Sequence, residues 1–389
     1  MNVLPEREQL EIQHAVAEFL LAECPASLVR RCEDEGADYA RSLWRTFSEL
    51  GWLTLSLPAE YGGQALPLSH LGLMFEEIGR HIAPLPILAT LVSALTIARH
   101  GDEVQRQILT SVGQGESILS FAVQESDGVW REDAIHMRAR READHYVLNG
   151  TKHFVDHFGE SACCLVVCRL DDGELGILLV DPRTAGVSTE RLVPLAKDGQ
   201  TVVRFEQVRV PVERLLGAQG QSAEAVGYLM DLAAVFSATL MQGAARRAME
   251  IAVDYVNHRD AFGQPIGSFQ AIQHMAADML NAVDGTQLLA REALWRLDAG
   301  LPASVEVSQA KAFANEHCLR VVRCAQQMHG GLGFITECDI NLWYRRVASW
   351  SLRAGTVYEH RERVAQALLD APGLVRLDTP IQWKREARA

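Results

Sequence analysis

Arg259-Asp260-Ala261-Phe262-Gly263-Gln264-Pro265-Ile266-Gly267-Ser268-Phe269-Gln270 is the stretch that decides how this 389-residue chain is read. It stands between two long segments of helical spacing. Residues 233–258 repeat an apolar face through Leu240, Ala244, Ala248, Ile251 and Tyr255. Residues 272–297 do the same through Met275, Met279, Val283, Leu289, Ala293 and Leu297. Gly263, Pro265 and Gly267 prevent one continuous helix, because glycine is entropically costly there and proline lacks the donor N–H. The break displays a guanidinium (Arg259), aromatic rings (Phe262, Phe269) and two amides (Gln264, Gln270). Such a set suits an anionic, aromatic ligand: arginine forks onto phosphate, a ring stacks, an amide reads polar edges. A capped helical hairpin accounts for the same residues, so the rest of the chain has to decide.

The chain exceeds a single hydrophobic core in length, and about half of it is apolar, an ordinary globular composition. A net charge of −13 argues against non-specific nucleic-acid binding, and an anionic ligand would need locally placed arginines. The eight cysteines show no metal-ligand spacing, so free thiols and no metal are expected. The acidic start lacks a leader pattern, and the most apolar run, 85–98, contains Pro86 and is too short for a bilayer. A cytoplasmic protein without a membrane span is the expectation.

Three domains are expected. Residues 1–116 read as helices over 7–21, 39–50, 68–79, 85–100 and 102–113. Residues 117–220 change to short branched-residue runs at 118–123, 134–140, 145–148, 165–170, 176–181 and 201–210. Asp127-Gly128, Asn149-Gly150 and Asp171-Asp172-Gly173 separate these runs, the punctuation of an antiparallel sheet. Residues 221–389 return to helices, 221–258, 272–297, 304–329, 341–352 and 358–369, with a polar surface tail over 372–389. Among them runs Gln327-Met328-His329-Gly330-Gly331-Leu332-Gly333, whose glycines let backbone N–H groups approach a ligand or simply cap a helix.

Taken in order, these motifs resemble the acyl-CoA dehydrogenase family over nearly the whole chain. Pro58 to Gly63 with Glu76-Glu77-Ile78-Gly79 is similar to its P-x-E-Y-G-G and E-E-L-G pair. Gln124-Glu125 stands at its flavin-contacting T-E strand, Asn149-Gly150-Thr151-Lys152 at its N-G-x-K, and Val208 to Gly217 at its V-P-x-x-x-x-L-G. Arg259-x-x-Phe262-Gly263 with Phe269-Gln270, and Gln327-x-x-Gly330-Gly331-x-Gly333, are the most specific matches. The resemblance implies an α+β fold: an N-terminal helical domain, a middle antiparallel β-domain and a C-terminal four-helix bundle. It also implies FAD, an acyl-CoA substrate, a homo- or hetero-tetramer and electron-transfer flavoprotein as partner. Arg259, Phe262, Phe269 and Gln270 would meet the adenine–pyrophosphate end of a neighbour's FAD. Gln327, Gly330 and Gly331 would line the other side of that groove, brought there by an adjacent protomer. Gln124, Phe154, Asp156 and Thr356 would stand nearer the flavin ring.

The pattern breaks at the chemistry. The family's base is a glutamate in a Y-E-G-T segment, and here that position is Ala354, before Gly355-Thr356; in some members it lies on the helix before the arginine turn, here Ala233. Alanine accepts no proton. Asp231, Asp156 and Glu125 are the substitute carboxylates the sequence offers, though for each a surface or capping acid is the favoured reading. Three readings follow: an acyl-CoA dehydrogenase with a relocated base, a non-catalytic subunit paired with a base-bearing homologue, or an oxidase or monooxygenase of the same fold.

Overall fold

The computed structural model describes residues 4–217 and 222–370. The tail expected over 372–389 and the residues around Gly220, where a domain boundary is expected, lie outside them. The chain packs as two compact units, Arg7–Ala233 and Ala234 onward with the first few residues.

The first unit opens with helices α1 (Arg7–Glu23), α2 (Ala26–Glu35), α3 (Arg41–Glu49), α4 (Leu68–Arg80), α5 (Ile87–His100), α6 (Glu103–Arg106) and α7 (Ile108–Gly113). The apolar run noted over 85–98 becomes α5, buried for most of its length. It lies against the first strand, where Ser93 Oγ donates to Ser120 O at 3.0 Å. An all-apolar helix is one covered on every side. Phe19, Phe47 and Trp52 meet edge-on at 4.8–6.3 Å and knit α1 to α3.

The sheet comprises β1 (Leu119–Ala122), β2 (Arg138–Glu142), β3 (His145–Asp156), β4 (Cys163–Arg169), β5 (Leu175–Val180), β6 (Val187–Leu192) and β7 (Gln200–Pro211). Its order is β1-β4-β2-β3-β7-β6, with β5 paired to β4. Most pairs are antiparallel, as the turn residues indicate. The β1–β4 pair is parallel, as is the single Arg138–Arg169 pair between β2 and β4, which departs from a wholly antiparallel sheet. The β2–β3 hairpin supplies the long crossover that parallel pairing needs. A second departure lies at Asn149-Gly150. It is no hairpin turn: β3 runs through it with a register shift, and Gly150 takes φ 148° where a Cβ would stand 2.9 Å from Met137 Cγ. The chain reverses instead at Ala143-Asp144, between β2 and β3. β6 is an exposed strand of mixed polarity and carried no sequence signal.

The second unit continues α8 (Ser222–His258) through a small hairpin, β8 (Asp260–Ala261) and β9 (Gln264–Pro265), into α9 (Gln270–Asp298), α10 (Ser304–Met328), α11 (Ile340–Trp350) and α12 (Val357–Leu369). α10 packs on α9, α11 and α12. Among the described residues α8 alone is long and apolar enough to cross a membrane, and 83% of its apolar window is buried, as in a core helix. All eight cysteines are free.

Candidate active site

The turn expected between the long helices is a two-residue hairpin. Ala261 and Gln264 pair, and Phe262 and Gly263 between them both take positive φ, 58° and 82°. Glycine accepts that geometry freely, whereas for phenylalanine it costs about 1–2 kcal/mol. The Phe262 ring is 93% exposed, edge-on to Phe269 at 6.0 Å. The left-handed backbone is thus carried by a residue whose ring projects from its own chain. Ile266 N–H donates to Arg259 O at 2.8 Å, closing the loop and leaving Arg259 at the surface. α9 then starts at Gln270 behind Phe269, which offers no side-chain cap. An uncapped helix start is a place where an anion can be held.

The glycine loop follows α10. Gln327, Gly330 and Gly331 are exposed, and a Cβ built at Gly330 or Gly331 meets nothing within 4 Å. Gly333 differs: its Cβ would fall 2.3 Å from Gln326 O, and Gln326 Nε2 donates to Gly333 O at 3.0 Å. Gly333 therefore shapes the loop, while Gly331 leaves space that the chain itself does not use. Tyr255, near the end of α8, stacks on His329, at the end of α10, at 4.4 Å and 20°. Both loops thus lie at one end of one chain's helical bundle.

Gln124 lies two residues beyond β1, and Phe154 and Asp156 lie on β3. His153 N–H donates to Gln124 O at 2.9 Å, and a Cβ at Gly128 would be 3.8 Å from the Phe154 ring, so the three share one corner. The Gln124 side chain is turned inward and donates to Gly128 O. Phe154 sits where β3 shifts register, at φ 57° and 43% exposed, a second aromatic displayed at the expense of strain. Asp156 accepts from Gln200 Nε2 at 3.1 Å, and its carbonyl accepts from Ser120 Oγ at 2.7 Å.

Glu125 is already engaged within the fold. Its Oε1 accepts from Lys152 Nζ (2.9 Å), Met137 N (2.9 Å) and His136 N (3.1 Å). Burial raises its pKa, but the Lys152 charge and these hydrogen bonds more than offset that and hold it below the usual carboxylate range. The sequence reading noted Lys152 only as a motif match and missed its part here: a fully buried ammonium that Glu125 balances. Asp231 is buried on α8 and engaged by neighbours, and Ala233 is fully buried. Thr356 has its hydroxyl in a capping box with Glu359 at the start of α12, so that oxygen already has a local use. Ala354 keeps a left-handed turn at φ 50°, followed by Gly355 at 95°.

Family models cover nearly all of the described chain: acyl-CoA dehydrogenase N-terminal domain over residues 6–116, middle domain over 120–208 and C-terminal domain over 224–369. The chain belongs to the acyl-CoA dehydrogenase family. Among curated relatives, cyclohex-1-ene-1-carbonyl-CoA dehydrogenase of Geobacter metallireducens is 32% identical over 85% of this chain and 90% of its own. Probable acyl-CoA dehydrogenase YngJ of Bacillus subtilis is 28% identical over 95% of this chain and all of its own. Among solved structures, a variant of the Tcur3481-Tcur3483 steroid ACAD superposes with a TM-score of 0.86 at 29% identity, covering 94% and 98% of the two chains. Butyryl-CoA dehydrogenase from Megasphaera elsdenii shares the fold, with a TM-score of 0.88 at 24% identity over 95% and 100%. As an acyl-CoA dehydrogenase family member the chain is an oxidoreductase with FAD as its cofactor. The uncapped start of α9, the exposed Arg259 and the open space over Gly331 fit the dinucleotide end of that group.

Proposed function

We propose that this chain takes part in the α,β-dehydrogenation of an acyl-CoA thioester as one subunit of a mixed oligomer, with a homologous chain supplying the base. The observation that carries this is Ala354: its turn keeps the left-handed backbone, yet the side chain ends at Cβ. Bound FAD supplies the two-electron acceptor for the hydride leaving the β-carbon. Arg259 and the α9 N-terminus would hold its pyrophosphate, with Phe262 and Phe269 against the adenine end. Gln327, Gly330 and Gly331 would lie along the same groove, and Gln124, Phe154, Asp156 and Thr356 nearer the ring. The α-proton goes to a carboxylate of the partner chain. A solved structure 29% identical to this chain is named for two gene products and a steroid substrate, which supports both a paired assembly and a bulky acyl group. Electron-transfer flavoprotein is the proposed electron acceptor. Free thiols support a reducing compartment, the cytoplasm.

The test is purification from the native host followed by separation of chains, FAD assay and acyl-CoA turnover. A homologous second chain, required for turnover, is expected. A lone chain that binds FAD and dehydrogenates acyl-CoA at full rate overturns the reading. Ala354→Glu supplies a second arm, since Ala354 already bears the left-handed strain that glutamate would meet. Proton abstraction by the chain itself should then appear. A second reading, a relocated base in this chain, rests on Asp156, held by Gln200 next to the exposed Phe154. Asp156→Asn abolishing turnover of an otherwise intact lone chain would favour it.

A further inference from the structure

Around the turn that carries Ala354 lies a buried polar cluster to which the reaction assigns no part. Lys311 sits mid-way along α10 with no exposed surface. Its ammonium reaches Asn315 Oδ1 at 2.5 Å, Trp350 O at 3.0 Å and Met241 Sδ at 3.7 Å. All three acceptors are uncharged, and among the described residues no carboxylate pairs with it. Asn315 passes the contact on: its Nδ2 donates to Gly355 O at 2.9 Å. From the other side His360, buried on α12, donates Nε2–H to Ala354 O at 2.8 Å. The carbonyl is acceptor-only, which leaves Nδ1 to accept the Ser308 hydroxyl at 3.2 Å. Each carbonyl of the Ala354–Gly355 pair is thus gripped by a buried side chain. The fit is close, because a Cβ at Gly355 would stand 2.3 Å from His360 Nε2.

We propose that Lys311 is a positioning residue: its ammonium, acting through Asn315 and alongside His360, fixes the left-handed Ala354–Gly355 turn, so that the turn opens when Lys311 loses its proton. Naming this turn the base station rests on the function proposed above; the clamp itself does not. The ammonium serves all three acceptors with charge-assisted N–H groups, whereas the neutral amine keeps only two N–H groups and loses the charge that strengthens its hold on Asn315. Burial pushes Lys311 down to about 7. The groups facing it come from every packed element. Cys318 on α10, beside Thr286 of α9, is pushed up to about 12 by burial and stays a thiol. His360 is pushed down to about 3 by burial and stays neutral. Met241 of α8 carries no charge, while Arg353 opposes and Glu359 favours the ammonium. Lys311 is therefore the member of the cluster that changes charge near neutrality.

Hydrogen–deuterium exchange of the full chain, followed by mass spectrometry of the peptide spanning residues 351–359 and corrected for intrinsic rates, tests this. Protection should fall roughly two- to tenfold between about pH 6 and pH 8.5, the scale of one lost hydrogen bond. In Lys311→Met the peptide should be weakly protected at both values with no pH dependence left. If that variant does not fold, Asn315→Ala cuts the link to Gly355 and should likewise flatten the profile. Wild-type protection that is equal at both pH values, or a pH dependence that survives Lys311→Met or Asn315→Ala, overturns the proposal. Exchange reads the turn without turnover, so its failure is distinguishable from failure of the proposed reaction.

Discussion

Lys152 Nζ stands 2.9 Å from Glu125 Oε1, with the ammonium fully buried against the sheet and the carboxylate also accepting two backbone N–H groups. The pair ties the end of β1 to β3, the strand that carries Phe154 and Asp156, and so it supports that corner without entering the chemistry.

Glu125→Gln leaves a buried ammonium without its counter-charge and should destabilise the protein by about 3–5 kcal/mol, read as a lower Tm. The pH dependence has a definite sign. Glu125 has a folded pKa below its ordinary value, so its contribution is present above that ordinary value and is lost as pH falls through the folded one. The variant should lack that acid-side loss. An unchanged Tm would show the pair to be incidental.

Arg259→Gln removes the guanidinium but nothing the fold depends on. FAD affinity should weaken roughly 10- to 150-fold, the worth of a charge-assisted hydrogen bond of about 1.5–3 kcal/mol, with Tm of the apoprotein unchanged. Flavin fluorescence titration measures it. Phe262→Gly should separate the same two readouts further. Relief of the left-handed strain should raise apoprotein stability by about 1 kcal/mol, while the lost ring lowers FAD affinity.

Gly331 and Gly333 are two residues apart and should respond oppositely to alanine. Gly331→Ala meets open space, so the chain should fold normally and bind FAD less well. Gly333→Ala drives a methyl into the Gln326 carbonyl and should cost about 1–3 kcal/mol of stability. Equal Tm values for the two variants would contradict this division of labour.

His360 should contribute to acid denaturation. Burial, chiefly, pushes it down to about 3 in the folded chain, against an ordinary 6.5 once unfolded. Between those values the unfolded state takes up a proton that the folded state refuses, so stability falls as pH drops through the window. His360→Asn should flatten the acid side of a Tm-against-pH profile while lowering stability at neutral pH.

The periodic segments were legible because a helix or strand with one buried face writes its period into the chain. α4, α5, α9 and α10 fall within a few residues of where spacing puts them. So was the arginine turn, since glycine and proline at fixed offsets forbid helix. Other features left no such trace. β6 is exposed and mixed in polarity, and Asn149-Gly150 is a bulge in one strand although it has hairpin composition.

By itself the sequence determined the family and the absence of a carboxylate at residues 354 and 233, because each of these is a matter of which side chain stands where. Only the tertiary structure decided that Glu125 belongs to Lys152, that the arginine turn and glycine loop share one end of one bundle, and that Lys311 reaches the Ala354–Gly355 turn through Asn315. These are pairings between residues tens of positions apart, set by which faces close-pack and which buried polar atoms must find a partner, and no local spacing encodes them.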